Sequence, residues 1–389
     1  MKMTKLSLST ALILACTQVA SANTLAQAFE DGKVSGEIKS QYFQKEYSDE
    51  KVSIWTNGGN LSYETGDFNG LKAGVTLQVA SVTADDLDGA PTAYNSDQHV
   101  SGAVLSQAYI DYAINNTSVK IGRQYMASPL IAGLGTRIFK ESYEGITVTN
   151  TDLPDTTVSA IYVDKIQLRT DIASGGNDVK DVSDFEDAGD GAYSLHLTNN
   201  SIENLTIESQ YLHHKDYDDN NILDNKIFYL AGSYNINDNY TVAAQTYQSD
   251  DGTATNSDGS AYGLNFTANF DELRMGAAYS TVDDEADISV WNLGAGSDYL
   301  YTWSWIYGGI YYADTDAYKL SAGYDITNNL SLDAIYASWK TGNADRASET
   351  DLIANYQFNE NLSTTFVLAT YDKLATESYR SRLYVSYSF

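Results

Sequence analysis

The chain ends Leu383-Tyr384-Val385-Ser386-Tyr387-Ser388-Phe389. Leu383, Val385, Tyr387 and Phe389 form an apolar set, interleaved with the polar or amphipathic Tyr384, Ser386 and Ser388. A period of two marks a β-strand with one greasy face and one wet face. The pattern recurs throughout. Val34, Gly36, Ile38, Ser40 and Tyr42 oppose Lys33, Ser35, Glu37, Lys39 and Gln41. Leu71, Ala73, Val75, Leu77 and Val79 oppose Lys72, Gly74, Thr76 and Gln78. Tyr262 to Ala268, Leu273 to Tyr279 and Tyr318 to Tyr324 alternate in the same way. Such segments run roughly nine to eleven residues, the length a tilted strand needs to cross a bilayer.

Composition narrows the classes. Residues 1–22 carry Lys2 and Lys5, an apolar run from Leu6 to Val19, and Ala20-Ser21-Ala22. This reads as a signal peptide, with a mature start at Asn23. Ile13-Leu14-Ala15-Cys16 loosely resembles a lipobox, but the A-x-A site is the cleaner match. Cys16 is the single cysteine, so the mature chain has neither a disulfide nor a thiolate metal site. Loss of Lys2 and Lys5 takes the formal charge from −29 to −31. That charge argues against nucleic-acid binding. With 31 Tyr, 11 Phe and 5 Trp the chain is not a disordered one. No apolar run of about 18 residues follows the signal, so no transmembrane helix is expected.

Turns fix the strand count. Short Asn-, Asp- and Gly-rich stretches fall at 66–70, 115–117, 150–155, 199–204, 235–239, 269–272, 325–329 and 357–361. Eight hairpins plus one strand before and one after give eighteen strands. The long segments between them run 44–56, 80–104, 125–142, 166–190, 213–225, 249–260, 281–316, 340–347 and 372–378. They hold the acid clusters Asp85-Asp86, Asp216 to Asp219, Asp250-Asp251 and Asp283 to Glu285. The expectation is all-β: one transmembrane antiparallel barrel over 23–389, with short periplasmic turns and long outer loops. Closure removes the edges of so large a sheet. A soluble β-sandwich or β-helix is the structural alternative; the terminal Phe389, the uniform strand length and the polar second face argue against it.

A more specific pattern spans residues 105–170. It reads Gly122-Arg123-Gln124, Pro129-Leu130, Arg137, Ser142-Tyr143-Glu144-Gly145, Pro154-Asp155-Thr156-Thr157, then Tyr162 and Lys165. This resembles the OprD-like family of substrate-specific porins, also called outer-membrane carboxylate channels, where such a run follows an inward-folded third loop. Leu25-Ala26-Gln27-Ala28-Phe29 leading to Val34-Ser35-Gly36 looks like the major outer-membrane porins of the Campylobacter and Sulfurimonas group. The closing strand resembles those of bacterial outer-membrane barrels, whose final aromatic residue, here Phe389, is read by the barrel assembly machinery. The resemblance implies a passive channel in the outer membrane for small hydrophilic solutes, organic anions or amino acids. It implies a narrow waist, a ladder of basic residues, no cofactor, and contact with lipid and lipopolysaccharide. Monomer and homotrimer stay open. The chain is more acidic than a typical anion-guiding member, and 281–316 carries no motif matching the family.

A pore works through the side chains that line it. The strand phases point Lys33, Lys39, Lys72, Lys120, Arg274, Lys319, Arg380 and Arg382 inward, with Glu37, Asp111, Glu208, Asp333 and Asp351. Charges also face a lumen simply because lipid forbids them. Arg123 shares parity with Val119 and Ile121; either a bulge at Gly122 turns it into the constriction or it lies beyond the hydrocarbon at the strand end. Segment 125–142 is the one long loop that is apolar. Folded into the barrel it would set the waist, with Arg137 and Lys140 projecting into the path. His213-His214 with Asp216, Asp218 and Asp219 reads as a solvated loop, because the calcium-loop Gly and Glu are missing. Diffuse binding of divalent cations by clustered carboxylates, bridging lipopolysaccharide phosphates, is a further reading. No metal centre and no Ser/His/Asp arrangement is visible, which leaves three rivals: a cation-preferring general porin, a structural or adhesin barrel, and an outer-membrane enzyme.

Overall fold

The computed structural model describes residues 24–47, 50–85, 98–170, 182–218, 223–252, 258–288, 293–297, 300–305, 311–373 and 377–389. A short helix, α1 (Leu25–Glu30), precedes the strands. These are β1 (Lys33–Tyr47), β2 (Glu50–Glu64), β3 (Leu71–Asp85), β4 (Gly102–Ile114), β5 (Thr117–Gln124), β6 (Ala127–Ser128), β7 (Ile131–Ala132), β8 (Ser142–Asn150), β9 (Thr156–Gln167) and β10 (Glu186–Ile202). They continue as β11 (Leu205–Asp218), β12 (Leu223–Asn235), β13 (Tyr240–Asp250), β14 (Asp258–Phe270), β15 (Leu273–Val282), β16 (Thr315–Asp325), β17 (Leu330–Thr341), β18 (Ala347–Gln357), β19 (Leu362–Asp372) and β20 (Glu377–Ser388).

Among the described residues all but β6 and β7 join one eighteen-stranded sheet in which sequence neighbours pair antiparallel. The ring closes where β1 meets β20, with Glu37 opposite Ser388 and Lys45 opposite Arg380. Gly36 and Phe389 exchange two backbone hydrogen bonds, each 3.0 Å, so the last residue is zipped into the seam.

All eight turns anticipated from the sequence join the expected strand pairs. Asn115, Asn204 and Asp271 have φ of +52°, +62° and +43°, the left-handed region that Asn and Asp tolerate. Three four-residue turns share one construction. The side-chain oxygens of Asn237, Thr327 and Asn359 each accept two N–H groups of their own turn. The fourth residue, Asn239, Asn329 or Asn361, donates its amide across to a carbonyl at the end of the next strand, of Asn269, Gln357 or Ser388. Asparagine in these turns therefore seals the periplasmic rim as well as shaping it.

Outside, an apolar band of Val34, Ile38, Leu61, Ile110, Ile121, Leu195, Leu264, Leu320 and Leu352 is exposed. Tyr240, Phe270, Tyr356, Phe358, Tyr387 and Phe389 gather at the turn end. Aromatics at the rim of an apolar band are what the headgroup boundary selects.

Two expectations are corrected. Strand length is not uniform: β5 has 8 residues and β10 has 17. Several expected loops are largely strand. Gln44, Lys45, Ser53 and Thr56 are in the β1–β2 ladder, and His213 and His214 pair with Lys226 and Asn225. Polar residues can pair outside the hydrocarbon as well as within it, so polarity alone does not end a strand. Asp219 lies outside the described residues.

Candidate channel constriction

Two long loops fold into the outer half of the bore. The third loop, 125–141, carries the β6–β7 ladder. It is fastened to walls almost half the ring apart. On β11, Gln210 accepts from the Leu130 N–H at 2.7 Å and donates to Ser128 Oγ at 3.0 Å. On β1, Lys39 Nζ donates to the carbonyls of Gly135 and Arg137 at 3.1 and 3.3 Å. On β3, Gln78 bonds both backbone groups of Lys140. The loop thus spans the lumen, as its apolar sequence anticipates.

The described parts of the loop between β15 and β16, 283–288, 293–297, 300–305 and 311–314, fold inward as well. Lys319 Nζ donates to the Trp303 carbonyl at 3.1 Å, and the Trp305 N–H donates to Asp351 Oδ2 at 3.0 Å. It meets the third loop directly. Ala132 N–H donates to the Leu293 carbonyl at 3.2 Å, Gly296 N–H donates to the Ala132 carbonyl at 2.8 Å, and the Tyr143 hydroxyl donates to the Leu293 carbonyl at 2.9 Å. Glu141 locks the junction. Its carboxylate accepts from Leu134 N–H at 2.8 Å and Ala295 N–H at 3.3 Å, and pairs with Arg169 Nε at 3.4 Å.

Met126, Leu130 and Ile131 of the one loop, Ile288, Leu293, Leu300 and Tyr311 of the other, and Leu212, Ile227, Tyr247 and Trp339 of the wall form one buried apolar cluster. The third loop is therefore not the one apolar loop, and the inner face is not polar throughout. Where loops cover the wall, lumen-facing positions carry core residues, which is why Ile227-Phe228-Tyr229-Leu230 is apolar on both faces.

The expected pore-lining charges separate into two groups. In the periplasmic half they pair. Lys72 lies 3.7 Å from Glu64, Lys120 3.8 Å from Asp111, and Arg274 holds Asp325 at 2.7 Å and Asp333 at 2.9 Å. Lys39 also pairs with Glu37 at 3.2 Å. The expected basic excess is therefore cancelled along much of the wall. Higher up, Lys45 stands directly opposite Arg380, and Phe43 opposite Arg382, with the Arg382 guanidinium 5.5 Å from the Phe43 ring. Lys319 and Lys140 are partly buried. Lys140 Nζ lies 4.7 Å from the centre of the Tyr125 ring. Burial pushes the Lys140 ammonium below the ordinary lysine range, only partly opposed by Glu141, and pushes the Tyr125 phenol up to about 12.

Two expected constriction residues are corrected. Arg123 is not in the waist. No register shift interrupts β5, so it keeps the outward parity of Ile121 and pairs with Glu144 at 3.0 Å, with its guanidinium over the Phe185 ring. The strand-end alternative is the one the structure takes. Arg137 is buried, 5% exposed, beneath the loop surface, because Lys39 draws its backbone onto the wall. Sequence reasoning missed Gln78, Gln210 and Glu141. All three are polar residues less than 5% exposed, and the signal for the first two was a lumen-phase glutamine amid charged or hydroxyl neighbours. It also missed 283–314, whose Ile288, Leu293, Leu300, Trp303 and Trp305 announce burial by the same logic as the third loop.

A closed barrel with an apolar outer band and loops fastened across its bore is an integral outer-membrane channel. The model of the Gram-negative porin family matches residues 9–376, and the chain belongs to that family. No curated protein matches it. Its fold is that of solved OprD/Occ-type porins. Pseudomonas aeruginosa OpdO superposes with TM-score 0.76 at 18% identity, covering 94% of this chain and 98% of that one. Acinetobacter baumannii OccAB4 gives 0.77 at 16%, covering 92% and 98%. Pseudomonas aeruginosa OccK8 (OprE) gives 0.71 at 20%, covering 94% and 99%. The protein is thus an outer-membrane porin, a passive channel for small hydrophilic solutes.

Proposed function

We propose that this porin favours small organic anions, or amino acids entering carboxylate first, and that passage rather than chemistry is its work. One observation carries the reading. The partly buried lysines at loop level have neutral groups as their direct partners, Lys140 a tyrosine ring and Lys319 a carbonyl with the Asp351 charge acting on it, whereas the cations nearer the periplasm are matched directly to carboxylates. Charge that is held but not neutralised acts strongly where loops exclude water. Asp351 is a buried counterweight on this wall. The test is the reversal potential of single channels under a salt gradient, before and after Lys140→Glu with Lys319→Glu.

A cation-preferring reading has one observation of its own. Asp283, Asp284 and Glu285 are exposed at the mouth, on a chain of formal charge −29. Their reach in physiological salt is about 8 Å, so they enrich cations at the entrance rather than at the waist. Phe389, zipped to Gly36 at the seam, is assigned as the signal for barrel assembly. A homotrimer is a further assembly state that crosslinking in native membranes would reveal.

A further inference from the structure

Helix α1 docks at the periplasmic end of β2 and leaves its apolar face uncovered. The Thr24 hydroxyl caps it, accepting from the Gln27 N–H at 3.1 Å. Ala28 is 1% exposed, and its carbonyl accepts from the Gly66 N–H at 2.8 Å. The Tyr63 hydroxyl donates to the Phe29 carbonyl at 2.6 Å. Tyr63 has the strand parity of Leu61, whose side chain is on the lipid face, so the mooring is on the outside of the wall. Leu25 and Phe29, four residues apart, share a helix face and are 55% and 53% exposed. At about 100° per residue, Gln27, Glu30 and Asp31 take the opposite side.

We propose that α1 is an interfacial anchor, with Leu25 and Phe29 set into the boundary between headgroups and acyl chains of the periplasmic leaflet. The argument for lipid as occupant is continuity. Val34, four residues beyond the helix, is 62% exposed on the lipid face, and Leu61 and the seam residue Phe389 expose apolar surface at the same end of the barrel. A helix with one apolar and one acidic side, lying at this level, extends the lipid-facing band around the rim.

The experiment uses the full chain folded into liposomes of phosphatidylethanolamine and phosphatidylglycerol. Leu25→Cys, Gln27→Cys, Phe29→Cys and Glu30→Cys, each with Cys16→Ser, are labelled with a nitroxide. Collision with oxygen is then compared with collision with a water-soluble nickel chelate. The expected oxygen-to-chelate ratio is several-fold higher at positions 25 and 29 than at 27 and 30. Equal ratios at all four positions would place the helix in water and overturn the proposal. Protection from both reagents at 25 and 29, with spin–spin broadening that vanishes on dilution into unlabelled protein, would assign the face to a second copy and also overturn it. Should labels loosen the helix, Phe29→Trp read against lipids brominated near the headgroup serves instead. Quenching beyond that of the five native tryptophans supports the anchor, and none contradicts it.

Discussion

The side-chain amide of Gln78 grips both backbone groups of Lys140, accepting from its N–H at 2.9 Å and donating to its carbonyl at 3.1 Å. A side chain on β3 thus does for the third loop what a neighbouring strand would do. It fixes the segment that presents the Lys140 ammonium to the lumen. Gln78→Leu removes both bonds and leaves two buried backbone groups without these partners, at a cost of about 1–3 kcal/mol per unsatisfied group. The barrel ladder is untouched, so the variant should still shift on boiling in detergent gels. Its single-channel current should be larger and noisier than that of the parent.

Glu141 is the joint between the two inward loops. Glu141→Gln keeps the shape but removes the charge that faces Arg169 and weakens the bonds from Leu134 and Ala295. Glu141 is buried but Arg169 is partly exposed, so breaking the pair costs less than the ~3–5 kcal/mol of a fully buried one. The expected result is frequent current flicker and protease sensitivity within 283–314, with heat-modifiability retained.

The closing strand tests which face meets lipid. Leu383 is exposed on the outer face and Ser386 has the parity of the buried, lumen-facing Arg382 and Tyr384. Leu383→Arg should cost roughly 2–4 kcal/mol near the bilayer midplane and less towards its edge, lowering the yield of folded protein. Ser386→Arg should fold at parental yield and change conductance. The opposite ranking in folding yield contradicts the phase of the strand.

The barrel was legible in the sequence because period two and Asn-rich turns are local signals, and each of the eight turns falls where its chemistry places it. The constriction was only half legible. The third loop shows its burial through a run of apolar residues, but 283–314 spreads Leu293, Leu300, Trp303 and Trp305 among serine, glycine and aspartate, which dilutes the same signal. Which charges cancel is a matter of register between strands distant in sequence. Lys120 meets Asp111 across a hairpin, but Arg274 meets Asp333 only because β16 sets the spacing between β15 and β17. Arg123 shows the limit most plainly. Glycine at 122 permits a bulge, and only the unbroken pairing with β4 and β8 shows that none forms.

Acidity provides a further test of the waist. Burial lowers the Lys140 pKa, so its charge is present at neutral pH and is lost as pH rises through a value below the ordinary lysine figure of about 10.4. Anion preference should begin to fall at lower pH than free lysine titrates. Lys140→Arg, which stays charged, should remove that early decline. Reversal potentials across an alkaline pH series measure it.

The loop-level lysines, not the net charge of the chain, should set selectivity. Zero-current potential in planar bilayers under a tenfold KCl gradient measures this directly. The account predicts an anion-preferring parent and reversal to cation preference in Lys140→Glu with Lys319→Glu. A parent that already prefers cations, with a potential that the double substitution leaves unmoved, would contradict it and give control of selectivity to the acidic mouth.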